Sequence, residues 1–300
     1  MSAPATPRWD LDDMHDLTGQ TWLVTGSTNG LGLETVRVAS SRGARIILAV
    51  RNEALGQKVA SQLGDADVLR VDFSSQASVQ SAANQVTEQV DVLINNAGAA
   101  TNSRQVSEDG FEMNLAVNLF GPFRFTNLVL PRVKRRVVVV GSMAHKQATF
   151  DLDDPHFERR KWTKPAAYGQ SKLGDMIWGA ELSRRIHALR PGVDVQLSHP
   201  GWAATSLTNP TPSKALNRLF DVGVAMLGQP PTKGALTTLY AATEVLPNNS
   251  YIGPDRLYEF RGHPKPVGRT KEASDPRLAA HLWDLVDHAT STADVVETKP

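Results

Sequence analysis

TWLVTGSTNGLGLETV (21–36) sets a short apolar run directly against a glycine-rich turn and the start of a helix. The run TWLVT (21–25) has the aromatic and β-branched content of a strand. The turn Thr25-Gly26-Ser27-Thr28-Asn29-Gly30-Leu31-Gly32 follows at once. Glycines let a backbone turn sharply and approach a phosphate, and the next helix offers its first N–H groups to the anion. A mere tight connection could use the same residues, but the place after the first strand of a βαβ unit favours a nucleotide. Gly26, Gly30 and Gly32 are spaced four and two apart. The common dinucleotide fingerprint has two then three, so this loop is related but different.

Outward from the turn, strand and helix patterns alternate. ARIILAV (44–50), DVLRV (67–71), VDVLIN (90–95), RRVVVVG (135–141) and VDVQLS (193–198) read as further strands. Between them helices are expected over 31–41, 53–63, 76–88, 107–130 and 165–189. The strands are apolar without clean in/out alternation, as when both faces are covered. Six strands with intervening helices predict an α/β fold: a single-domain doubly wound parallel sheet (Rossmann fold) with helices on both faces. Such sheets bind ligands at the carboxyl ends of their strands. Residues 1–16 read as a lead and 17–289 as one domain. A polar tail at 290–300 is expected to be frayed.

Composition narrows the function. The 300 residues are 41% hydrophobic and 21% charged, with a net charge of +1. No basic excess or polybasic segment points to nucleic acid or an anionic membrane. The absence of cysteine excludes disulfides, thiolate metal sites and cysteine nucleophiles, and no metal is expected. MSAPATPRWDLDDMHDL (1–17) lacks a signal peptide's apolar core. No run reaches the roughly 18 to 20 apolar residues that span a bilayer. A soluble, cytoplasmic protein is expected.

In AAYGQSKLGD (166–175), Tyr168 and Lys172 stand one helical turn apart. A nearby cation favours a phenolate and brings a tyrosine toward the working pH range, although a solvated lysine beside an amphipathic tyrosine has the same spacing.

Together the glycine loop and the Tyr-x-x-x-Lys pair resemble the short-chain dehydrogenase/reductase family. Other motifs follow in the family's order. Asp72 comes after the third strand, Asn95-Asn96-Ala97-Gly98 after the fourth and Ser142 after the fifth. Pro200-Gly201 follows the sixth, with Thr205 close behind. The resemblance implies a catalytic set of Asn118, Ser142, Tyr168 and Lys172. Lys172 would bind the nicotinamide ribose and keep Tyr168 acidic. Tyr168 would exchange a proton with the substrate oxygen, Ser142 would donate a hydrogen bond to it, and Asn118 would interrupt its helix and hold a water of a proton relay.

It also implies cofactor contacts from 26–32, from Arg51 and Asn52, from Asp72 and Phe73, from 95–98, and from Pro200, Gly201, Trp202 and Thr205. Asp72 would accept from the adenine amino group. Asn95 has two readings, lining the adenosine or bracing the sheet. Arg51 stands where the second strand ends without an acid at its tip, which favours NADP(H) over NAD(H). Asn29 occupies the place where many NADP-preferring relatives carry a second basic residue.

Ser142 and Tyr168 are 26 residues apart, about twice the spacing in compact members. An insertion at about 146–164 accounts for the excess. With SMAH, AYGQSKL, HPGWAATSL and HLWDLVDH, it resembles the retinol-dehydrogenase-like subgroup, which includes protochlorophyllide-reductase relatives. The expected activity is reduction of a lipophilic carbonyl or oxidation of the alcohol. Met143, His145, Phe150, Phe157, Trp162, Trp202, Leu207, Leu219, Phe220 and Met226 are candidate pocket residues, several from a substrate loop at about 202–230. Family members dimerise through two long helices, here 107–130 and 165–189, so a homodimer is expected. The alternatives are a non-catalytic NADP(H) sensor or scaffold, and a nucleotide-sugar epimerase or dehydratase. The intact catalytic set argues against the first and the short chain after Pro200 against the second.

Overall fold

The structure is a computed structural model that describes residues 8–202 and 229–296, with 292–296 described by backbone alone. One eight-stranded sheet forms its centre, in the order β3-β2-β1-β4-β5-β6-β7-β8. The strands are β1 Thr21–Thr25, β2 Arg45–Val50, β3 Ala66–Arg70, β4 Val90–Asn95, β5 Val133–Val140, β6 Asp194–Ser198, β7 Tyr251–Arg256 and β8 Arg261–Pro266. All pairs are parallel except β7–β8. From β1 the chain builds outward to β3, then crosses back to β4 on the other side. That reversal opens the crevice in which doubly wound sheets hold a nucleotide.

Helices α1 Gly30–Ser41, α2 Glu53–Ala60 and α7 Pro231–Thr243 cover one face. The other is covered by α3 Gln76–Gln85, α4 Met113–Leu115, α5 Gly121–Val129, α6 Lys164–Leu189 and α8 Pro276–Val296. Alternate strand residues serve the two cores: Leu23 packs on one side, Trp22 and Val24 on the other. With both faces apolar, polar alternation is lost from the sequence.

Three expectations are corrected. The sheet has eight strands, because YIGPDR and RGHPKP form a hairpin at its edge. Their glycine and prolines disguise strands, and proline is tolerated at an edge. The helix expected over 107–130 begins only at Met113, since Gly110 takes φ +86° in a turn that Ser107 N closes onto Phe111 O at 2.8 Å. A π-helical turn, Ala116–Phe120, then precedes α5. Finally, α8 runs to Val296, past the expected start of the tail, with Thr290 buried and its Oγ1 donating to Val286 O at 2.8 Å. Residues 297–300 lie outside the described residues.

The last helix packs on α5 and α6. Trp283 of α8 meets Phe123 of α5 edge-on at 4.7 Å, and the Arg185 guanidinium of α6 lies 4.4 Å over its ring. One face of α5 and α6 is thus covered by the chain's own C-terminal helix.

A buried cation ties the sheet to the end of α7. Arg136 on β5 pairs with Asp194 through Nε at 2.6 Å and Nη2 at 2.8 Å, while Nη1 donates to Ala241 O and Glu244 O. Its side chain is only 8% exposed. Arg136→Ala would orphan the two carbonyls and Asp194 at once. A loss on the order of 3 kcal/mol is expected in denaturant unfolding.

Candidate active site

The glycine loop is held open by residues 70 positions away. Thr25 Oγ1 accepts from the backbone N–H groups of Asn96 and Ala97, both at 2.9 Å. Asn96 Nδ2 donates to Thr25 O at 2.9 Å and Gly26 O at 3.1 Å. Gly26 takes φ +66° and Gly30 φ +53°, the left-handed region that suits glycine. Around Gly32 a β-carbon would come within 2.5 Å of Asn96 Nδ2 and Gly26 O. Asn29 caps α1 without a side-chain hydrogen bond, so the first-turn N–H groups lack a protein acceptor there. Ser27 is buried, with its hydroxyl donating to Val24 O.

Arg51 and Asn52 follow β2 and are exposed. Asn52 caps α2 by accepting from Leu55 N at 3.0 Å, so part of its polarity is spent locally. Beyond β3, Asp72 Oδ1 accepts from Ser74 N and Oγ, whereas Oδ2 has no hydrogen-bond donor among the described residues. Phe73 is buried edge-on against Phe125, so its side chain belongs to the core and only its backbone is open to a cofactor role. Of the two readings of Asn95, the structure favours the brace: its Nδ2 donates to Thr126 Oγ1 of α5 at 2.8 Å.

The ends of β4 and β5 converge on Lys172. Its Nζ donates to Val140 O at the end of β5 at 3.1 Å and to Asp175 Oδ2 at 2.7 Å. A β-carbon on Gly98 would lie 3.4 Å from Asn118 Oδ1 and 3.6 Å from Lys172 Nζ. Asn118 sits in the π-helical turn, where the regular helix is interrupted. Its Oδ1 accepts from Ala99 N at 2.7 Å, and its Nδ2 donates to Ala99 O and Ser171 Oγ. Both amide hydrogens are used, so the side chain clamps the loop to α6, leaving one Oδ1 lone pair for a water.

Tyr168 lies in the first turns of α6, whose N-cap Thr163 accepts from Ala166 N. Its hydroxyl makes no hydrogen bond among the described residues. Ser142 caps a 3₁₀ turn, Met143–Gln147, by accepting from Ala144 N at 3.2 Å, which leaves its O–H free to donate. Gly169 packs against that turn, since a β-carbon there would be 3.3 Å from Ala144 O. The segments bearing Ser142 and Tyr168 are therefore in contact.

Behind them, His145 Nδ1 bonds Ser142 O at 2.6 Å, and burial pushes the imidazole down into its neutral form. It is a fully buried positioning group and does not line an open pocket. Phe150 and Phe157 are likewise buried, Phe157 under the Arg160 guanidinium. Trp162 donates to the buried Glu112 carboxylate at 3.0 Å, pinning the insertion to the start of α4. Met143 and Trp202 keep partial exposure. After β6, His199 Nε2 bonds Glu259 Oε2 at 3.1 Å, and Gly201 takes φ +69° against the Phe260 carbonyl. Burial pushes Glu259 up, but His199 and Lys146 hold it down, at about 2. Thr205, Leu207, Leu219, Phe220 and Met226 lie outside the described residues.

Asp175, Ser171 and Thr25 were missed as site residues. Asp175 was legible as the i+3 neighbour of Lys172 on one helix. The Thr25 brace and the His199–Glu259 pair join residues too distant in sequence to be paired by spacing.

Among the described residues no cluster could hold a metal ion, and no helix is long and apolar enough to cross a membrane. The loop that admits only glycine, the uncapped α1 and the spare donor on Lys172 together fit a dinucleotide. Comparison with known proteins agrees with that class. A family model described as short chain dehydrogenase matches residues 20–215. The chain belongs to the short-chain dehydrogenase family, with a retinol-dehydrogenase-like character. Human retinol dehydrogenase 13 is 33% identical over 287 residues, covering 89% of this chain and 83% of that protein. An uncharacterized oxidoreductase of Schizosaccharomyces pombe is 35% identical, covering 79% and 76%. A crystal structure of an uncharacterized protein from Mycobacterium paratuberculosis superposes with a TM-score of 0.83 at 36% identity, covering 95% and 98%. A Burkholderia cenocepacia short chain dehydrogenase in complex with NADP shares the fold at a TM-score of 0.61 and 20% identity, covering 77% and 93%.

Proposed function

We propose that the chain is an NADP(H)-dependent oxidoreductase that interconverts a lipophilic carbonyl and its alcohol, with Tyr168 as general acid/base. The observation that carries this reading is the convergence of Lys172, Gly98 and Asn118 at the carboxyl ends of β4 and β5, one helical turn from Tyr168. The bound nicotinamide would supply or accept the hydride. Tyr168 holds the proton that the substrate oxygen takes up on reduction, and receives it back on oxidation. The free O–H of Ser142 donates to that oxygen and stabilises charge developing on it. The ammonium of Lys172 donates to ribose hydroxyls one helical turn from Tyr168. Asn118 holds the loop after β4 against α6 and keeps Gly98 beside that ammonium. Gly26 to Gly32 and the first turn of α1 hold the pyrophosphate, Asp72 Oδ2 accepts from the adenine, and Arg51 pairs with the ribose 2′-phosphate. The name of the human relative points to a lipophilic alcohol, which supports that substrate class.

The test is NADPH and NADH consumption across a panel of lipophilic aldehydes and ketones, with Tyr168→Phe as the blank. Turnover in the parent that the blank lacks supports the reading, and binding of neither cofactor sinks it. The cofactor preference has its own test. Arg51 is exposed and has no protein partner among the described residues, so Arg51→Asp leaves the fold unstrained. The NADPH-to-NADH ratio of kcat/KM is expected to drop roughly 10- to 100-fold, the value of one or two charge-assisted hydrogen bonds. An unchanged ratio would remove Arg51 from the phosphate site.

A further inference from the structure

We propose that Asp175 is the buried counter-ion that keeps Lys172 an ammonium, and thereby acts as a positioning residue for the proton-transfer pair. Its consequence for catalysis rests on the dehydrogenase reading above. The ion pair itself rests on geometry alone.

Asp175 stands three residues after Lys172 on α6, and its Oδ2 lies 2.7 Å from Nζ. The two side chains are 5% and 4% exposed, so water does not screen them. Nζ gives a second hydrogen to Val140 O. An ammonium has three, so one remains for a ribose hydroxyl or the phenol. Asp175 thus fixes where the ammonium sits as well as its charge.

Burial is the largest influence on Lys172 and pushes it down, yet the Asp175 carboxylate and Tyr168 leave it above its ordinary value. Burial pushes Asp175 up to about 6 against the pull of Lys172, so the carboxyl is ionised at neutral pH. The groups facing the pair can be named from each packed element. On α6 they are Tyr168 and, for Asp175, Trp178. The end of β5 presents the Val140 carbonyl, the segment after β4 presents Gly98, and the π-helical turn presents the neutral amide of Asn118. The imidazole of His145, on the 3₁₀ turn packed against α6, is neutral through burial. No further ionisable group among the described residues acts on Lys172 or Asp175.

Asp175→Asn keeps the shape and a hydrogen-bond acceptor but removes the charge. Burial of Lys172 is then opposed by no carboxylate beside it, and the ammonium loses its proton more readily. A base lowered in the folded state binds fewer protons there than in the unfolded chain, so the variant's stability rises with pH up to the free-lysine value. In the parent Lys172 is raised, and no such rise arises from it between roughly pH 6 and 9.

The experiment is a set of Tm measurements across that range for the parent, Asp175→Asn, Lys172→Met and the double variant. Fluorescence titration with NADPH accompanies each. The Tm of Asp175→Asn is expected to rise with pH relative to that of the double variant, a comparison from which the titration of Asp175 itself drops out. The NADPH dissociation constant of Asp175→Asn is expected to climb roughly tenfold over the same range relative to the parent, as a charge-assisted donor becomes a neutral one. A difference from the double variant that stays constant with pH would make Asp175 merely structural, and one that falls as pH rises would mean that the ammonium is not destabilised without it. Either result overturns the proposal, as does NADPH affinity that tracks the parent. A parent that binds NADPH but reduces no carbonyl would sink the dehydrogenase reading while leaving these trends to decide on Asp175.

Discussion

Replacing Tyr168 by phenylalanine is expected to lower kcat by about 10²- to 10⁴-fold, the span that a single general acid supplies. NADPH affinity should stay within a few-fold of the parent. Both expectations follow from local geometry. The phenol hydroxyl makes no hydrogen bond among the described residues, so its removal orphans no buried partner. The ring stays where α6 holds it, since Gly169 and Ala167 on either side are buried and the Thr163 cap is untouched. Lys172 keeps Val140 O and Asp175, so the ribose side of the site is preserved. The measurement is steady-state NADPH oxidation with the best substrate of the panel, alongside a fluorescence titration of cofactor binding. A variant that retains most of its turnover would show that the proton comes from elsewhere.

Gly32→Ala is expected to weaken NADPH binding roughly 10- to 100-fold, through overpacking of about 1 to 3 kcal/mol. A β-carbon there would press on Asn96 Nδ2 and Gly26 O at 2.5 Å and on Ser27 Cα at 3.0 Å. None of these can give way cheaply. Asn96 Nδ2 already clamps Thr25 O and Gly26 O, and two of the three contacts are backbone. The loop must open, which separates α1 from the strand ends and moves the first-turn N–H groups away from a pyrophosphate. Gly64→Ala is the control, because a β-carbon there meets nothing within 4 Å. Calorimetry with NADPH and a melting curve for both variants would check this. Equal binding by the two variants would mean that the loop does not cradle the cofactor.

Much of this site is legible in local sequence. The first four strands and the sixth fall within a residue of their expected bounds, and Tyr168, Lys172, Ser142 and the glycine loop stand on the elements expected for them. Each of those readings uses information carried within about a dozen residues. Apolar runs reveal doubly covered strands, glycine reveals a backbone that must turn, and i+4 spacing reveals a shared helix face. The Asn95 reading stayed open for the opposite reason. Whether an amide braces a helix or faces a nucleotide depends on Thr126, which the chain brings near only after crossing to α5.

The sequence by itself determined the doubly wound α/β architecture, the family and the order of the functional residues along the strand ends. Tertiary structure alone decided the β7–β8 edge hairpin, the late start of α4 after the Gly110 turn, and the cover that α8 lays over α5 and α6. It also decided which groups brace the site: Asn96 against Thr25, Asn118 against Ala99 and Ser171, and Glu259 against His199. The physical reason is range. Propensity and periodicity act between near neighbours and leave a trace in each segment. A buried hydrogen bond or ion pair between remote segments is selected by the geometry of the closed fold, so neither partner's local sequence announces the other.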